Sequence, residues 1–274
     1  MEKLKSIFRY PGGKLKAIKF IRPFWEQVKH DEYREPFLGG GSVFINKPLS
    51  EFNWINDIDS DLIAFYKVIA DAKMRKDLIF DLENTKINKK MYEDLFNAKP
   101  KNFYEKASRY YILNRCSFSG ITMWKSFIGD ARFNIKSAKK TIEETGLKLS
   151  DVKITNLDFE DVIKARPEGE KEVFLFLDPP YAESRQIVAY AHSFKKDDHI
   201  RLAKLLKETK VKFLLTYDDC KFIRDLYNWA NFYERTWTYS VANARVHFNP
   251  REHGNELFIS NFKLKDNKSL LSFV

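Results

Sequence analysis

The stretch VFLFLDPPY at positions 173–181 decides the fold that this sequence predicts. Its first five residues form a continuous apolar run, which is typical of a central strand buried on both faces of a parallel sheet. Asp178 follows directly and is expected at the carboxyl end of that strand, where open α/β sheets bind their ligands. Pro179 and Pro180 have no N–H to donate and a φ fixed at about −65°, so the strand ends there and the turn is stiff. The turn holds one carboxylate, two carbonyls and the ring of Tyr181, a set that suits a planar ring with an exocyclic amine.

Two glycine-rich turns lie upstream of this stretch. The segment EPFLGGGS at positions 35–42 predicts a short strand from about residue 33 that ends in a triple-glycine turn, with Ser42 capping the next helix. Glycines in such a turn let the backbone approach a ligand where any side chain would clash. The segment YPGGK at positions 10–14 opens a helix, but it lacks the spacing and the hydroxyl residue of an ATP-binding P-loop.

Acids follow two further predicted strands. Asp57 ends a strand near residues 54–55, and an acid there, after a glycine-rich turn, commonly accepts the hydroxyls of a nucleoside ribose. The dinucleotide fingerprint G-x-G-x-x-G is absent, so the pattern favours a nucleoside site over an NAD site. The strand predicted at 152–159 ends in Asp158 and Phe159. Later strands are predicted at 211–217, 235–241 and 256–262, the last two as an antiparallel pair at one sheet edge.

Each motif by itself also fits an ordinary structural explanation. The turn at 178–181 is then a proline-rich turn with an incidental acid and tyrosine. The glycines and Asp57 are then a tight turn followed by a helix-capping acid. His247 and His253 lack the spacing of metal ligands and are interpreted as surface residues.

The character of the sequence changes between about residues 71 and 149. Lysine, arginine, asparagine and aromatic residues interleave there, and long apolar runs disappear, which predicts a basic and largely helical insert. Its segment 114–134 carries the arginines, asparagines, serines and rings that proteins use to contact phosphates and base edges. The alternative is a small helical subdomain with a solvated basic face.

Composition bounds the class of protein. The chain has 274 residues, a net charge of +10 and a pI of about 9.3, which favour a polyanionic partner because a basic surface attracts phosphates. Cys116 and Cys220 stand far apart in no metal-binding or redox spacing, which fits a reducing cytosol. No apolar run reaches the length of a membrane span, so we expect a cytoplasmic protein.

Five motifs occur in a characteristic order. They are YPGGK at 10–14, EPFLGGGS at 35–42, NDIDSDL at 56–62, LNR at 113–115 and DPPY at 178–181. Together they resemble the D12 class of DNA adenine-N6 methyltransferases, to which the bacterial Dam family belongs. The resemblance covers essentially the whole chain and implies an α/β, Rossmann-like sheet that uses S-adenosylmethionine. It also implies a discontinuous catalytic domain, residues 1–70 and 150–274, with an inserted target-recognition domain at 71–149 that acts on double-stranded DNA in a bacterial, archaeal or phage setting.

The resemblance implies three groups of site residues and no metal. The catalytic group is Asp178, Pro179, Pro180 and Tyr181. The cofactor-binding group is Tyr10, Lys14, Phe37, Gly39, Gly41, Asp57, Asp158, Phe159 and Asp178. The DNA-binding group is Arg115, Phe118, Ser119, Met123, Trp124, Lys125, Arg132 and Asn134.

The chain departs from the Dam pattern in its expected recognition hairpin. Dam has Tyr-Asn and then an arginine for its GATC site, whereas Phe118-Ser119 and Met123 occupy these places here. Methionine cannot make the bidentate contact of arginine to a guanine edge. We therefore predict that GATC is not the target, or that it is read by other groups such as Lys125 or Arg132. Tyr10 stands where Dam has tryptophan, which keeps an aromatic ring.

Three other functions compete with adenine methylation. Cytosine-N4 methylation uses the same geometry, but Asp rather than Ser at position 178 favours adenine. Methylation of protein amides goes with an Asn-Pro-Pro-Tyr pattern and gives less reason for a basic insert. A non-catalytic DNA-binding module with a relic cofactor pocket is disfavoured by the intact glycines, Asp57 and Asp178. A companion restriction endonuclease would have to be a separate protein, because the chain carries no nuclease constellation.

Overall fold

A seven-stranded sheet forms the centre of the protein. The structure is a computed structural model and describes residues 4–10, 12–130, 133–167, 169–182, 194–238 and 253–265. Its strands are β1 (Glu32–Glu35), β2 (Phe52–Asn56), β3 (Lys153–Thr155), β4 (Val173–Leu177), β5 (Lys212–Asp218), β6 (Asn231–Thr238) and β7 (His253–Ser260). Their order in the sheet is β3-β2-β1-β4-β5-β7-β6. The strands β1 to β5 pair in parallel, and β7 runs antiparallel to both of its neighbours.

Helices cover the sheet and make up most of the central part of the chain. They are α1 (Ile18–Gln27), α2 (Ser42–Asn46), α3 (Ser60–Ala70), α4 (Ala72–Asn84), α5 (Lys89–Asn97), α6 (Phe103–Cys116), α7 (Ile135–Lys148), α8 (Phe159–Lys164), α9 (Lys196–Glu208) and α10 (Lys221–Leu226). Short 3-10 turns lie at Lys14–Lys16 and Phe118–Gly120. The predicted α/β fold is confirmed.

The strand order creates a crevice beside β1. The chain winds outward from β1 to β2 and β3, and then crosses to the other side of β1 with β4 and β5. At such a switch point the connections after the two central strands diverge, which leaves a ligand-binding crevice at their carboxyl ends. The glycine turn follows β1 and Asp178 follows β4, so the fold brings both motifs to this crevice. All five residues of β4 are buried, as its continuous apolar run predicts.

Element boundaries differ from the sequence predictions in three places. β3 ends at Thr155, and Asp158 instead caps α8 by accepting the Glu160 N–H at 2.9 Å. Gly41, in a left-handed conformation, is the N-cap of α2, so the predicted capping by Ser42 is wrong. The antiparallel edge pair is confirmed, although β6 begins at Asn231, and His247 lies outside the described residues.

The helices between residues 72 and 148 pack on the helical layer of the sheet through aromatic rings. Tyr111 of α6 stacks on Phe65 of α3 with 5.5 Å between ring centroids. Phe8 lies edge-on to Phe65 at 4.7 Å and to Tyr110 at 5.1 Å. This part of the chain is mostly helical, and its role as a separate recognition domain remains a prediction. Across the described ranges, no helix combines the length and apolar character needed to span a bilayer.

Candidate active site

A cavity opens at the switch point between β1 and β4. Its walls come from the glycine turn after β1, the ends of β2 and β4, the loop before α8 and one face of α9. All nine predicted cofactor-binding residues line it, and so does Pro180 of the predicted catalytic group. The nine are Tyr10, Lys14, Phe37, Gly39, Gly41, Asp57, Asp158, Phe159 and Asp178. The structure therefore brings together residues that are far apart in the sequence.

The turn after β1 requires glycine at two positions because of its backbone conformation and because two tyrosines lie against it. Gly39 and Gly41 have φ values of +49° and +65°, which L side chains rarely adopt. A Cβ on Gly39 would lie 2.8 Å from Cε1 of Tyr10, and one on Gly41 would lie 2.7 Å from the hydroxyl of Tyr66. The space next to these glycines is thus filled by protein, whereas the sequence alone suggested that it serves close approach by a ligand.

Asp57 orders this turn from the end of β2. Its Oδ2 accepts the Gly39 N–H at 2.8 Å, and its Oδ1 accepts the Asp59 N–H at 3.0 Å. Burial raises the pKa of Asp57 to about 7, although these backbone hydrogen bonds act in the opposite direction. Each carboxylate oxygen can accept a second hydrogen bond, so a hydroxyl group in the cavity can still bind here.

An aromatic and charged wall lies opposite, near the start of α8. The rings of Phe37 and Phe159 are 5.3 Å apart, and Phe194 lies 5.6 Å from Phe159. The guanidinium of Arg201 lies 4.1 Å from the Phe159 ring centroid and donates to both oxygens of Asp158 at 2.7 and 2.9 Å. Sequence reasoning missed Arg201 and Phe194, since no spacing connects α9 with this loop. The fork of Arg201 holds this wall rigid by pairing with a carboxylate and covering a ring.

Asp178 is held on one side by two donors. Lys14 Nζ lies 2.8 Å from its Oδ1, and the Thr216 hydroxyl donates to the same oxygen at 2.6 Å. Lys14 is only 5% exposed. Both contacts made by the described residues thus fall on Oδ1, which leaves Oδ2 for a ligand. The pair joins a residue predicted for catalysis to one predicted for cofactor binding, and Thr216 was not foreseen.

Tyr181 is anchored at its hydroxyl. The hydroxyl donates a short hydrogen bond to Oε1 of Glu256, an acid of β7 that sequence reasoning missed. The ring of Tyr181 also lies 4.8 Å from Lys14 Nζ. Alternation along β7 could have indicated an inward-facing position 256, but an acid in an otherwise apolar strand carries no specific motif.

The segment predicted to face DNA forms an irregular hairpin after α6. A bridge pairs Ser117 with Phe127, and the Phe118 N–H donates to the Ser126 carbonyl at 3.0 Å. Phe118, Met123 and Trp124 are 48%, 41% and 47% exposed. These three large apolar side chains of the hairpin are thus exposed to solvent, and their contact with DNA remains a prediction.

The other predicted DNA contacts differ in their surroundings. Ser119 adopts a left-handed φ of 54°, which turns the hairpin sharply. Arg115 is half-buried at the end of α6, whereas Lys125 and Asn134 are exposed. Arg132 lies outside the described residues.

Asn114 ties this hairpin to the cavity. It accepts the Arg9 N–H at 3.0 Å and donates to the carbonyl oxygens of Arg9 at 3.0 Å and Gly120 at 2.8 Å. Arg9 precedes Tyr10, whose ring packs on Gly39. The hairpin therefore lies beside the Tyr10 wall of the cavity, and a molecule bound on one would be close to the other.

The cavity has the opposite charge to the protein as a whole. Among the described residues that line it, two are basic, Lys14 and Arg201, and six are acidic, namely Glu35, Asp57, Asp59, Asp158, Asp178 and Asp198. The chain as a whole carries +10. An acidic cavity in a basic protein suits a cationic small ligand beside a polyanionic partner. No cluster of His, Cys, Asp and Glu in the described ranges has an arrangement that could hold a metal ion.

The comparison with protein families shows the family to which the chain belongs. A model described as D12 class N6 adenine-specific DNA methyltransferase matches residues 10–241, a range that begins at Tyr10 and includes the strands β1 to β6. The chain belongs to this family. The predicted adenine-specific DNA methyltransferase is thereby confirmed, and the cytosine-N4 and non-catalytic alternatives are not supported.

Three relatives of this D12 methyltransferase match it over most of their length. It is 29% identical over 257 residues to the type II methyltransferase M.CviBI of Paramecium bursaria Chlorella virus NC1A, covering 89% of this chain and 95% of the relative. It is 25% identical to the type II methyltransferase M1.LlaDCHI of Lactococcus lactis subsp. cremoris, covering 84% and 87%. It is 28% identical to the DNA adenine methylase of Haemophilus influenzae, covering 84% and 85%. As a methyltransferase of this family it acts on DNA and needs a methyl donor.

Proposed function

We propose that this D12 methyltransferase transfers a methyl group from S-adenosylmethionine to the N6 amine of an adenine that is flipped out of a specific site in duplex DNA. The observation that carries the proposal is the position of Asp178. It lies at the carboxyl end of a central strand, in the switch-point cavity, with one carboxylate oxygen held by Lys14 and Thr216. The other oxygen is left to accept a hydrogen bond from an exocyclic amine.

The chemistry of the residues that line the cavity supports S-adenosylmethionine as the methyl donor. The rings of Phe37, Phe159 and Phe194 offer apolar faces for the adenine. Asp57 would accept the ribose hydroxyls, and the turn 37–41 with Tyr10 and Lys14 would hold the methionine part. The six acids favour the positive sulfonium, which supplies an electrophilic methyl group when the cofactor is bound.

The residues after β4 would prepare the target amine. An adenine in a duplex is stacked and paired, so it must be flipped out before N6 can react. Oδ2 of Asp178 and the carbonyl of Pro179 would each accept one N6–H, which turns the nitrogen lone pair towards the methyl donor. Most of the acceleration then comes from positioning and electrostatics. Tyr181 would stack on the flipped base, a contact that contributes about 1–3 kcal/mol.

The hairpin and the basic surface would hold the DNA. Exposed Phe118, Met123 and Trp124 stand beside the Tyr10 wall, and Arg115, Ser119, Lys125, Arg132 and Asn134 complete the proposed contact set. This assignment supports residues 71–149 as the recognition domain. The type II names of two relatives support a separately encoded restriction endonuclease as a partner, and the bacterial relatives support a cytoplasmic site of action.

The test is to incubate plasmid DNA with the purified protein and isotope-labelled S-adenosylmethionine, followed by mass analysis of the nucleosides. We expect labelled N6-methyladenine. Labelled N4-methylcytosine, or no labelled base at all, would contradict the proposal.

We predict that base-resolution mapping of the modified plasmid will show a target other than GATC, or a GATC target that does not depend on Met123. The reason is that Met123 has no donors for a guanine edge. Ile128→Ala, which alters an exposed position of the same hairpin region with no proposed base contact, is the control for Met123→Ala. Methylation confined to GATC and lost in Met123→Ala alone would show that the prediction is wrong.

We also predict that affinity for S-adenosylmethionine rises between pH 6 and pH 8, by about three- to tenfold. Burial raises the pKa of Glu35 to about 8, and it raises the pKa of Asp57 to about 7. Both acids lose protons over this range, so the cavity becomes more negative and binds a cation more tightly. Calorimetry with S-adenosylhomocysteine is the control, because this product has the same α-amino group and no sulfonium. Equal pH dependence for both ligands would contradict the prediction.

A further inference from the structure

A buried acid from the far end of the chain lies under the turn after β4. Glu256 pairs with Asp218 across the β5–β7 ladder. Because β7 runs antiparallel to β5, its first residues lie at the same end of the sheet as the last residues of β4 and β5. The reversed strand therefore delivers a carboxylate to the turn that carries Asp178 and Tyr181. Glu256 is 2% exposed.

The contacts of Glu256 join it to the proposed active-site residues. Its Oε1 accepts the hydrogen bond of the Tyr181 hydroxyl and lies 3.5 Å from Lys14 Nζ. The same Lys14 Nζ lies 2.8 Å from Oδ1 of Asp178 and 4.8 Å from the Tyr181 ring centroid. These four side chains form one connected group of contacts at the end of β4.

We propose that Glu256 is a positioning residue for methyl transfer. One of its oxygens holds both the Tyr181 hydroxyl and the Lys14 ammonium, and it thereby sets the plane of the Tyr181 ring and the place of Lys14 against Asp178. The inference rests on the proposed function, because it assumes that Asp178 and Tyr181 contact the flipped adenine. Glu256 itself would touch neither the adenine nor the methyl donor.

The charges of this group explain why a carboxylate is needed. A lysine as deeply buried as Lys14 needs compensating negative charge, and Asp178 and Glu256 share that task. If Glu256 were neutral, Asp178 would be the only carboxylate among these contacts that pairs with Lys14. The ammonium would then withdraw more electron density from Asp178 and weaken it as an acceptor for the target amine. The hydrogen bond of Tyr181 would also become weaker, because a charged acceptor gives a stronger bond than a neutral one.

A second consequence concerns Tyr181. A tyrosine that only stacks on a base would be replaceable by phenylalanine, whereas a ring held by its hydroxyl would move when that hydroxyl is removed. A displacement of about 1 Å in an active site can cost about a hundredfold in rate. Tyr181→Phe should therefore slow methyl transfer as well, and Tyr181→Ala should slow it further.

The experiment compares Glu256→Gln with Glu234→Gln, which removes a 64% exposed carboxylate from the adjacent strand β6. Single-turnover methylation of plasmid DNA with labelled S-adenosylmethionine gives the rate of transfer, and calorimetry gives cofactor affinity. We expect Glu256→Gln to slow transfer by about 10- to 100-fold while the dissociation constant of the cofactor stays within about threefold. Glu234→Gln should match the wild type.

A double variant separates positioning from general damage. Glu256→Gln replaces the charged acceptor of the Tyr181 hydrogen bond by a neutral amide oxygen, and Tyr181→Phe removes the donor of the same bond. Because both changes act on one bond, the double variant should be no slower than the slower single variant, within about twofold. A wild-type rate in Glu256→Gln, multiplied losses in the double variant, or a rate loss matched by lost cofactor affinity would each overturn the inference. If Glu256→Gln does not fold, Tyr181→Phe tests the bond from its other end, and a wild-type rate there overturns it too. Absence of N6-methyladenine with the wild-type protein would instead contradict the proposed function.

Discussion

Asp178→Asn is expected to slow methyl transfer by about a thousandfold or more while cofactor affinity changes less than about threefold. Lys14 and Thr216 both donate to Oδ1 of Asp178. An asparagine would turn its carbonyl oxygen to these two donors and would present its NH₂ group to the target amine. Two donors would then face each other where the wild-type protein offers an acceptor. Single-turnover rates on plasmid DNA and calorimetry with S-adenosylmethionine measure the two effects.

Asn is a sharper replacement here than Ala. Asp178→Ala would leave the buried ammonium of Lys14 with no acceptor at this position, and removing one partner of a buried ion pair in this way costs about 3–5 kcal/mol of stability. Asparagine keeps an amide oxygen that still accepts from Lys14 and Thr216. Asp225→Asn, which neutralises a 64% exposed acid of α10, is the control for a lost charge and should leave the rate unchanged. A wild-type rate in Asp178→Asn would show that the proposed role of this carboxylate is wrong.

Gly39→Ala is expected to weaken S-adenosylmethionine binding by at least about tenfold and to lower stability by about 1–2 kcal/mol or more. The backbone of Gly39 has a φ of +49°, and a Cβ would lie 2.8 Å from Cε1 of Tyr10. The ring must therefore move, and the turn that donates the Gly39 N–H to Asp57 must move with it. Tyr10, Gly39 and Asp57 all line the cavity, so the proposed cofactor site should lose its shape.

Gly169→Ala is the matched control for this change. Gly169 has a φ of +75°, and a Cβ there meets no atom within 4 Å. It should lower the melting temperature through backbone strain alone and leave cofactor affinity unchanged. Calorimetry and thermal unfolding of the two variants test the difference. Wild-type cofactor affinity in Gly39→Ala, or an equal loss in Gly169→Ala, would contradict the expected role of the turn.

The strand β4 and its turn illustrate what local sequence can predict. A five-residue apolar run can be buried on both faces only in the middle of a sheet, and two prolines end a strand wherever they stand. These effects act within a few residues, so they were visible before the fold was known. The position of Asp178 at the carboxyl end of a central strand followed from them and is confirmed.

The sequence predicted the position of the glycine turn correctly, but it explained the need for glycine there only in part. Its position after β1 and the acid at Asp57 were correct as features that line one cavity. The reason for Gly39 and Gly41 is a positive φ together with the bulk of Tyr10 and Tyr66. A pattern of glycines shows that space is needed, but it does not show which atoms fill that space.

Other residues of the site were missed because their partners come from distant elements. Arg201 is one half-buried polar residue of α9, and only the fold places it over Phe159 and against Asp158. Thr216 and Glu256 belong to strands with no motif of their own. Thr216 contacts Asp178 from β5, and Glu256 contacts Tyr181 from the antiparallel strand β7.

By itself, the sequence determined the α/β class, the central strand, the two turns beside the cavity and the membership of a methyltransferase family. Only the tertiary structure decided that Lys14 pairs with Asp178, that Glu256 lies beneath Tyr181, and that Asn114 joins the hairpin to the Tyr10 wall. The physical reason is range. Strand burial and turn stiffness depend on neighbouring residues, whereas ion pairs and hydrogen bonds require contact within about 3 Å, and sheet topology alone sets which distant residues come that close.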